Sequence, residues 1–247
     1  MAMRSVCFLM LLFISCATGM DRKGLHHTVR RGETIWTIAS SYRVDPQVIA
    51  EYNNIEDPKE IDTGKLLYIP PRKPRPQFKL LPGEKKFSAV KGRETKQSRK
   101  KPGEEPQIEV QHDRLTWPID GAILSPFGYR GGRRHDGVDI KAAHGTPIKV
   151  ADEGEVVFSG RMRGYGNLIL VRHDGDLFTA YAHNSKNKSK KGEKVKRGQV
   201  IGLVGRTGRA TGPHLHFEVR QRHSARNPLF FLPKRLVSPS ADVAKKE

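Results

Sequence analysis

Apolar positions recur at structural periods along two stretches of the chain and thin out between them. In the first, residues 27–70, Thr28-Val29 reads as a short strand. Thr34 then caps a helix on which Ile35, Ile38 and Ala39 recur at helical spacing. Asp45-Pro46 opens a second helix with Val48, Ile49 and Tyr52 as its apolar face, ended by Asn53-Asn54. A closing strand over 66–69 stops at Pro70-Pro71. In the second stretch, residues 115–233, short apolar runs alternate with Gly-rich turns. Strands are predicted over 146–151, 155–159, 167–172, 177–182, 199–204 and 214–220, with Asp174-Gly175 as a tight hairpin turn. No long helical pattern appears there. The expected fold class is α+β: a small βααβ unit and a mostly antiparallel β-sheet domain.

Residues 72–107 carry 12 basic and 4 acidic side chains and few apolar ones. Such a segment cannot bury enough apolar surface to offset its chain entropy, so it reads as a flexible basic tether. The expected organisation is a unit at 26–71, a linker at 72–112, a second unit at 113–233 and a polar, frayed tail at 234–247. Lys and Arg outnumber Asp and Glu by 45 to 26 over the chain, a net charge of +19. That balance favours polyanionic partners. Nucleic acid is not among those expected, because no aromatic–basic interleaving or reader motif accompanies the charge.

The N-terminus bears on location. Met1 to Arg4 is positive, residues 5–15 are mostly apolar, and small residues follow at Ser15, Cys16, Ala17 and Gly19. This is the layout of a secretory signal over 1–19, too short to span as a mature helix. FISC, ending at Cys16, resembles the lipobox of bacterial lipoproteins, which implies lipidation of Cys16 and a membrane anchor. Ordinary cleavage after Ala17 or Gly19 is the alternative. Both cysteines, Cys7 and Cys16, lie in this segment, so no disulfide is expected in the mature chain.

Candidate chemistry sits in three segments of the second unit. In TGPHLHFEV, strand alternation places His214, His216 and Glu218 on one face and Leu215, Phe217 and Val219 on the other. RRHDGVDI supplies His135 and Asp139 around Gly137, which permits a tight approach. FTAYAHN supplies His183, expected to share a strand face with Thr179 and Tyr181. Neutral imidazoles and a carboxylate suit Zn²⁺, and catalytic zinc sites use three protein ligands with one position open. The surplus groups would handle protons.

Two family resemblances follow. HTVRRGETIWTIA, DPQVIAEYNNI and TGKLLYIP resemble the LysM domain. This implies binding of N-acetylglucosamine-containing glycans by the loops after the first strand and second helix, here Gly32, Thr34 and Ile35 with Asn53, Asn54 and Ile55. HDGVD, YAH and HLH, with SPFGYR and NPLFFLP around them, resemble the lysostaphin-type (LytM-like) zinc metallopeptidases over about residues 118–233. That resemblance implies Zn²⁺ held by His135, Asp139 and His216, with His183 and His214 as catalytic groups for proton transfer and oxyanion stabilisation. Asn167 and Tyr181 are placed beside the site as substrate contacts. Asn184 departs from the leucine frequent in the family, which puts local loop packing in question. The lysine-rich segment 186–196 is read either as a cleft rim or as a solvated loop.

Together these imply an enzyme exported to the bacterial cell envelope (periplasm) and anchored there as a lipoprotein. It would dock on peptidoglycan glycan strands through LysM and hydrolyse stem-peptide crosslinks. The alternative is a non-catalytic activator whose partner is a cell-wall amidase.

Overall fold

A computed structural model describes residues 24–71, 107–130, 133–221 and 224–235. The signal segment with Cys16, the linker core 72–106 and the tail beyond Arg235 lie outside the described residues.

The first unit is βααβ. Strand β1 (Leu25–Thr28) pairs antiparallel with β2 (Leu66–Ile69), Leu25 opposite Ile69. The strand begins earlier than the pattern predicts because pairing starts at Leu25, and Val29 is instead buried just beyond it. Helix α1 (Ile35–Tyr42) starts in a capping box between Thr34 and Thr37 and ends on a left-handed Arg43. Helix α2 (Pro46–Tyr52) is capped by Asp45, whose carboxylate accepts from the Gln47 N–H at 2.9 Å. Ile35, Ile38, Ile49, Ile55, Leu67 and Ile69 form its core.

The second unit is all-β. Its strands are β3 (Ile123–Ser125), β4 (Gly128–Arg130), β5 (Arg133–His135), β6 (Val138–Lys141), β7 (Pro147–Lys149), β8 (Gly154–Met162), β9 (Gly166–His173), β10 (Leu177–Asn187), β11 (Lys194–Val195), β12 (Val200–Val204), β13 (His214–Gln221) and β14 (Ser224–Arg226). Among the described residues ten of them form one antiparallel sheet, with spine β11-β8-β9-β10-β13-β6-β3. Among the described residues, strands β4 and β5 pair only with each other. Alternation on β13 buries Leu215, Phe217 and Val219 in the main core with Tyr181, Ile169 and Val171. It turns His214, His216 and Glu218 to the opposite face.

The two units pack against each other. Glu51 of α2, 3% exposed, pairs with Arg226 at 2.5 Å and accepts from the Asn227 N–H at 3.0 Å. Ile108 packs against both cores. The end of the expected linker and the start of the expected tail are likewise tied down. Gln47 and Glu109 exchange two hydrogen bonds, Lys234 pairs with Glu56 at 2.7 Å, and the Arg235 guanidinium lies 3.5 Å over the Trp117 ring.

Candidate metal centre

Two strands and one hairpin bring the site together. Asp139 on β6 sits directly opposite His216 on β13 in the sheet register, so their side chains rise from the same face. Small residues on β10, Ala182 opposite His216 and Ala180 opposite Glu218, leave room above them. His135 arrives from outside the sheet, at the end of β5. Gly137 makes the return possible: a Cβ there would run into the Phe217 carbonyl.

The three groups converge. His135 Nε2 lies 3.2 Å from Asp139 Oδ1 and 3.1 Å from His216 Nδ1, and the latter two are 2.8 Å apart. A tetrahedral zinc with bonds of about 2.0–2.1 Å spaces its ligands about 3.3 Å apart, so the spacing fits. The outer hydrogen bonds fix the tautomers. A carbonyl only accepts, so His135 Nδ1 donates to Pro126 O at 2.8 Å and keeps its lone pair on Nε2. His216 Nε2 donates to Glu218 Oε1 at 3.0 Å and keeps its lone pair on Nδ1. Both lone pairs face Asp139. Protons compete for these inner nitrogens: burial alone would lower the His216 pKa, but the hydrogen bonds that the protonated ring donates to Asp139 and Glu218 raise it to about 9, so a metal would have to displace the Nδ1 proton. Burial opposes ionisation of Asp139, yet hydrogen bonds from His135 and His216 hold its carboxyl far below the usual range. Glu218, 1% exposed, is held at about 2: burial works against it, while His216 and Arg220 outweigh burial.

His183 and His214 stand beside this cluster with ring centroids 4.9 Å apart. Each ties Nδ1 to a carbonyl, Thr207 O at 2.7 Å and Gly212 O at 2.9 Å, and so presents Nε2 to the cleft. Burial pulls the His183 pKa down to about 4. His183 has φ +63°, and the β10–β9 register shifts between Tyr181 and Asn184. This irregularity reverses the alternation and corrects the expectation that Tyr181 and His183 share a face. Tyr181 is fully buried in the core, its hydroxyl accepting from the Ala151 N–H at 2.8 Å, so it is not a substrate contact. Asn167 is likewise a brace: its amide donates to Asn184 O at 3.0 Å and holds the bulge after His183. Asn184 is fully buried, donates to Tyr181 O and leaves its Oδ1 unpartnered among the described residues.

The cleft above the cluster has a volume of about 480 Å³. Arg163 and Arg209 line it from two loops joined by the Arg209 N–H to Gly164 O bond at 2.9 Å. Tyr165 also lines it and donates its hydroxyl to Glu218 at 2.9 Å. No residue of the lysine-rich segment 186–196 lines the cleft. Glu218 was signalled by strand alternation. The arginines and Tyr165 carried no signal, because their loops approach the site only in the fold.

In the first unit, a groove of about 740 Å³ runs between the loop after β1 and the loop after α2. Thr34 lines it, with Trp36, Asp57, Lys59 and Ile61. Other expected glycan contacts do not. Ile35 and Ile55 are fully buried, and Asn53 brackets the Tyr68 backbone with two hydrogen bonds. Asn54 accepts from Asn227 at 3.2 Å. Gly32, in the turn after β1, is also absent from the lining.

Comparison with known proteins matches residues 133–228 to Peptidase family M23 and residues 27–70 to the LysM domain. The chain is 34% identical to the "Uncharacterized lipoprotein YgeR" of Escherichia coli (strain K12), over 85% of this chain and 82% of that one. It is 45% identical to the "DD-carboxypeptidase/endopeptidase Mpg" of Neisseria meningitidis serogroup B, over 43% of this chain and 26% of the relative. It is 41% identical to the "Murein hydrolase activator NlpD" of Salmonella dublin, over 48% and 31% respectively. The latter two matches thus span about a third or less of the relatives' length. The chain belongs to Peptidase family M23 and carries a LysM domain ahead of its peptidase-type domain.

Proposed function

We propose that the protein is a zinc-dependent peptidoglycan endopeptidase of the bacterial cell envelope, docked on glycan strands by its LysM domain. The carrying observation is the donor set: His135 Nε2, Asp139 Oδ1 and His216 Nδ1 lie within 4.8 Å of one another with both imidazole lone pairs aimed inward. Zinc bound there supplies Lewis acidity and activates water at neutral pH. The chain's own groups do the rest. His183 is neutral above pH about 4 and accepts a proton at Nε2. His214 offers its Nε2 on the other side, 3.7 Å from Asp139 Oδ1; its Nδ1–H is committed to Gly212 O, so it serves the developing oxyanion or the leaving amine as the imidazolium, after Nε2 has taken up a proton from the attacking water. Arg163 and Arg209 at the mouth suit the carboxylates of acidic stem peptides. The envelope location and a lipid anchor at Cys16 accord with the likeness to a lipoprotein.

The likeness to a murein hydrolase activator favours a second reading, in which the same domain switches on an amidase. Digestion of purified peptidoglycan separates the two: an endopeptidase releases peptide fragments by itself, an activator none. Metal analysis tests the ligand set. About one zinc per chain is expected in wild type, with strong loss in Asp139→Ala and His216→Ala.

A further inference from the structure

The hairpin that carries His135 stands apart from the main sheet, because β4 and β5 pair only with each other among the described residues. Its support comes from the first unit. Tyr129 on β4 stacks on Tyr68 of β2, with ring centroids 4.4 Å apart and planes at 4°. Phe127, just before the hairpin, meets the Tyr52 ring edge-on at 5.1 Å, and the Arg134 guanidinium lies 5.8 Å from the centre of that same ring. The backbones are close as well: a Cβ on Gly128 would sit 3.0 Å from the Tyr52 carbonyl oxygen. Buried Glu51, paired with Arg226 and Asn227, clamps α2 to the far side of the same interface.

We infer that the LysM domain is a positioning element of the metal site: Tyr52 and Tyr68 seat the β4–β5 hairpin and thereby hold the His135 imidazole against Asp139 and His216. The physical reason is pre-organisation. A ligand on an unsupported hairpin must be ordered when metal binds, whereas one already packed between two domains is in place beforehand. The glycan-binding unit thus does more than tether. It is part of the frame of the site, and the groove and the cleft keep a fixed relation. Neither Tyr52 nor Tyr68 lines the cleft or supplies a metal donor, so their effect passes through the hairpin.

The test uses full-length protein and zinc affinity measured by competition with a chromophoric chelator, which needs no assumption about cleavage. Tyr52→Ala and Tyr129→Ala should bind zinc about tenfold more weakly than wild type, the range in which removal of groups supporting a ligand acts. Tyr52→Phe and Tyr129→Phe retain the ring packing and should bind as wild type does. If Tyr52→Ala does not fold, Tyr129→Ala decides, since Tyr129 is only partly buried. Folded alanine variants with affinity within about twofold of wild type would overturn the inference. So would an equal loss in the phenylalanine variants. The inference rests on His135 being a metal ligand: wild type that takes up no zinc overturns that reading, whereas wild type and alanine variants that bind equally overturn this inference alone.

Discussion

Tyr181 and His183 lie two residues apart on β10 and face opposite sides of it, Tyr181 buried in the core and His183 open to the cleft. The left-handed backbone at His183, φ +63°, makes the switch. A side chain with a Cβ carries about 1 kcal/mol of strain in that conformation, which glycine does not. His183→Gly should therefore be more stable than His183→Ala by about 1 kcal/mol in urea unfolding. Equal midpoints at equal slope would show that the conformation carries no strain.

Glu218 touches the proposed ligand set only through His216, accepting from Nε2 at 3.0 Å. Glu218→Gln should lower zinc affinity about tenfold, because it weakens the hydrogen bond that fixes the tautomer and basicity of His216. Chelator competition would measure this. An unchanged affinity would mean that the tautomer is set elsewhere.

Much of the β domain could be read in the sequence because its signals are local. Leu215, Phe217 and Val219 declare a buried face by alternation, and His214 and His216 follow from it. Metal chemistry of the residue types marks His135 and Asp139. Tyr181 misled because alternation holds only while the backbone stays extended, and no residue near His183 announces the bulge. The ion pair Glu51–Arg226 joins residues 175 positions apart, and neither flanking segment hints at the other. In the LysM unit, Ile35 at the start of α1 and Ile55 in the loop after α2 point into the core, whereas Trp36 and Lys59 line the groove.

His173, away from the cleft, gives a pH signature. It is buried, with Nδ1 donating to Glu153 O at 2.6 Å and Nε2 2.7 Å from the Thr179 hydroxyl. Burial lowers its pKa from the usual value, so protonation is disfavoured in the folded state. Its contribution to stability is present above the unfolded pKa of about 6.5 and is lost as pH falls through the lower folded value. Unfolding free energy of His173→Gln should thus fall less steeply than wild type below pH about 6.5. Parallel curves would contradict the assignment.

Arg163 and Arg209 are exposed at the cleft mouth and make no ion pair among the described residues. If they receive substrate carboxylates, Arg163→Ala and Arg209→Ala should each raise KM about two- to fivefold with kcat unchanged, as expected for exposed charge contacts. The effect should shrink at high salt. A fall in kcat at constant KM would place them in the chemistry instead.

Mass analysis of purified peptidoglycan digested with the zinc-loaded full-length protein tests whether this cleft cuts peptide bonds. Wild type should release peptide fragments carrying new amino and carboxyl termini. His183→Ala and His214→Ala, with zinc retained, should be slower by about 10²–10⁴. No fragments from zinc-replete wild type, together with stimulation of an added amidase that survives both substitutions, would rule out an endopeptidase and establish an activator in its place.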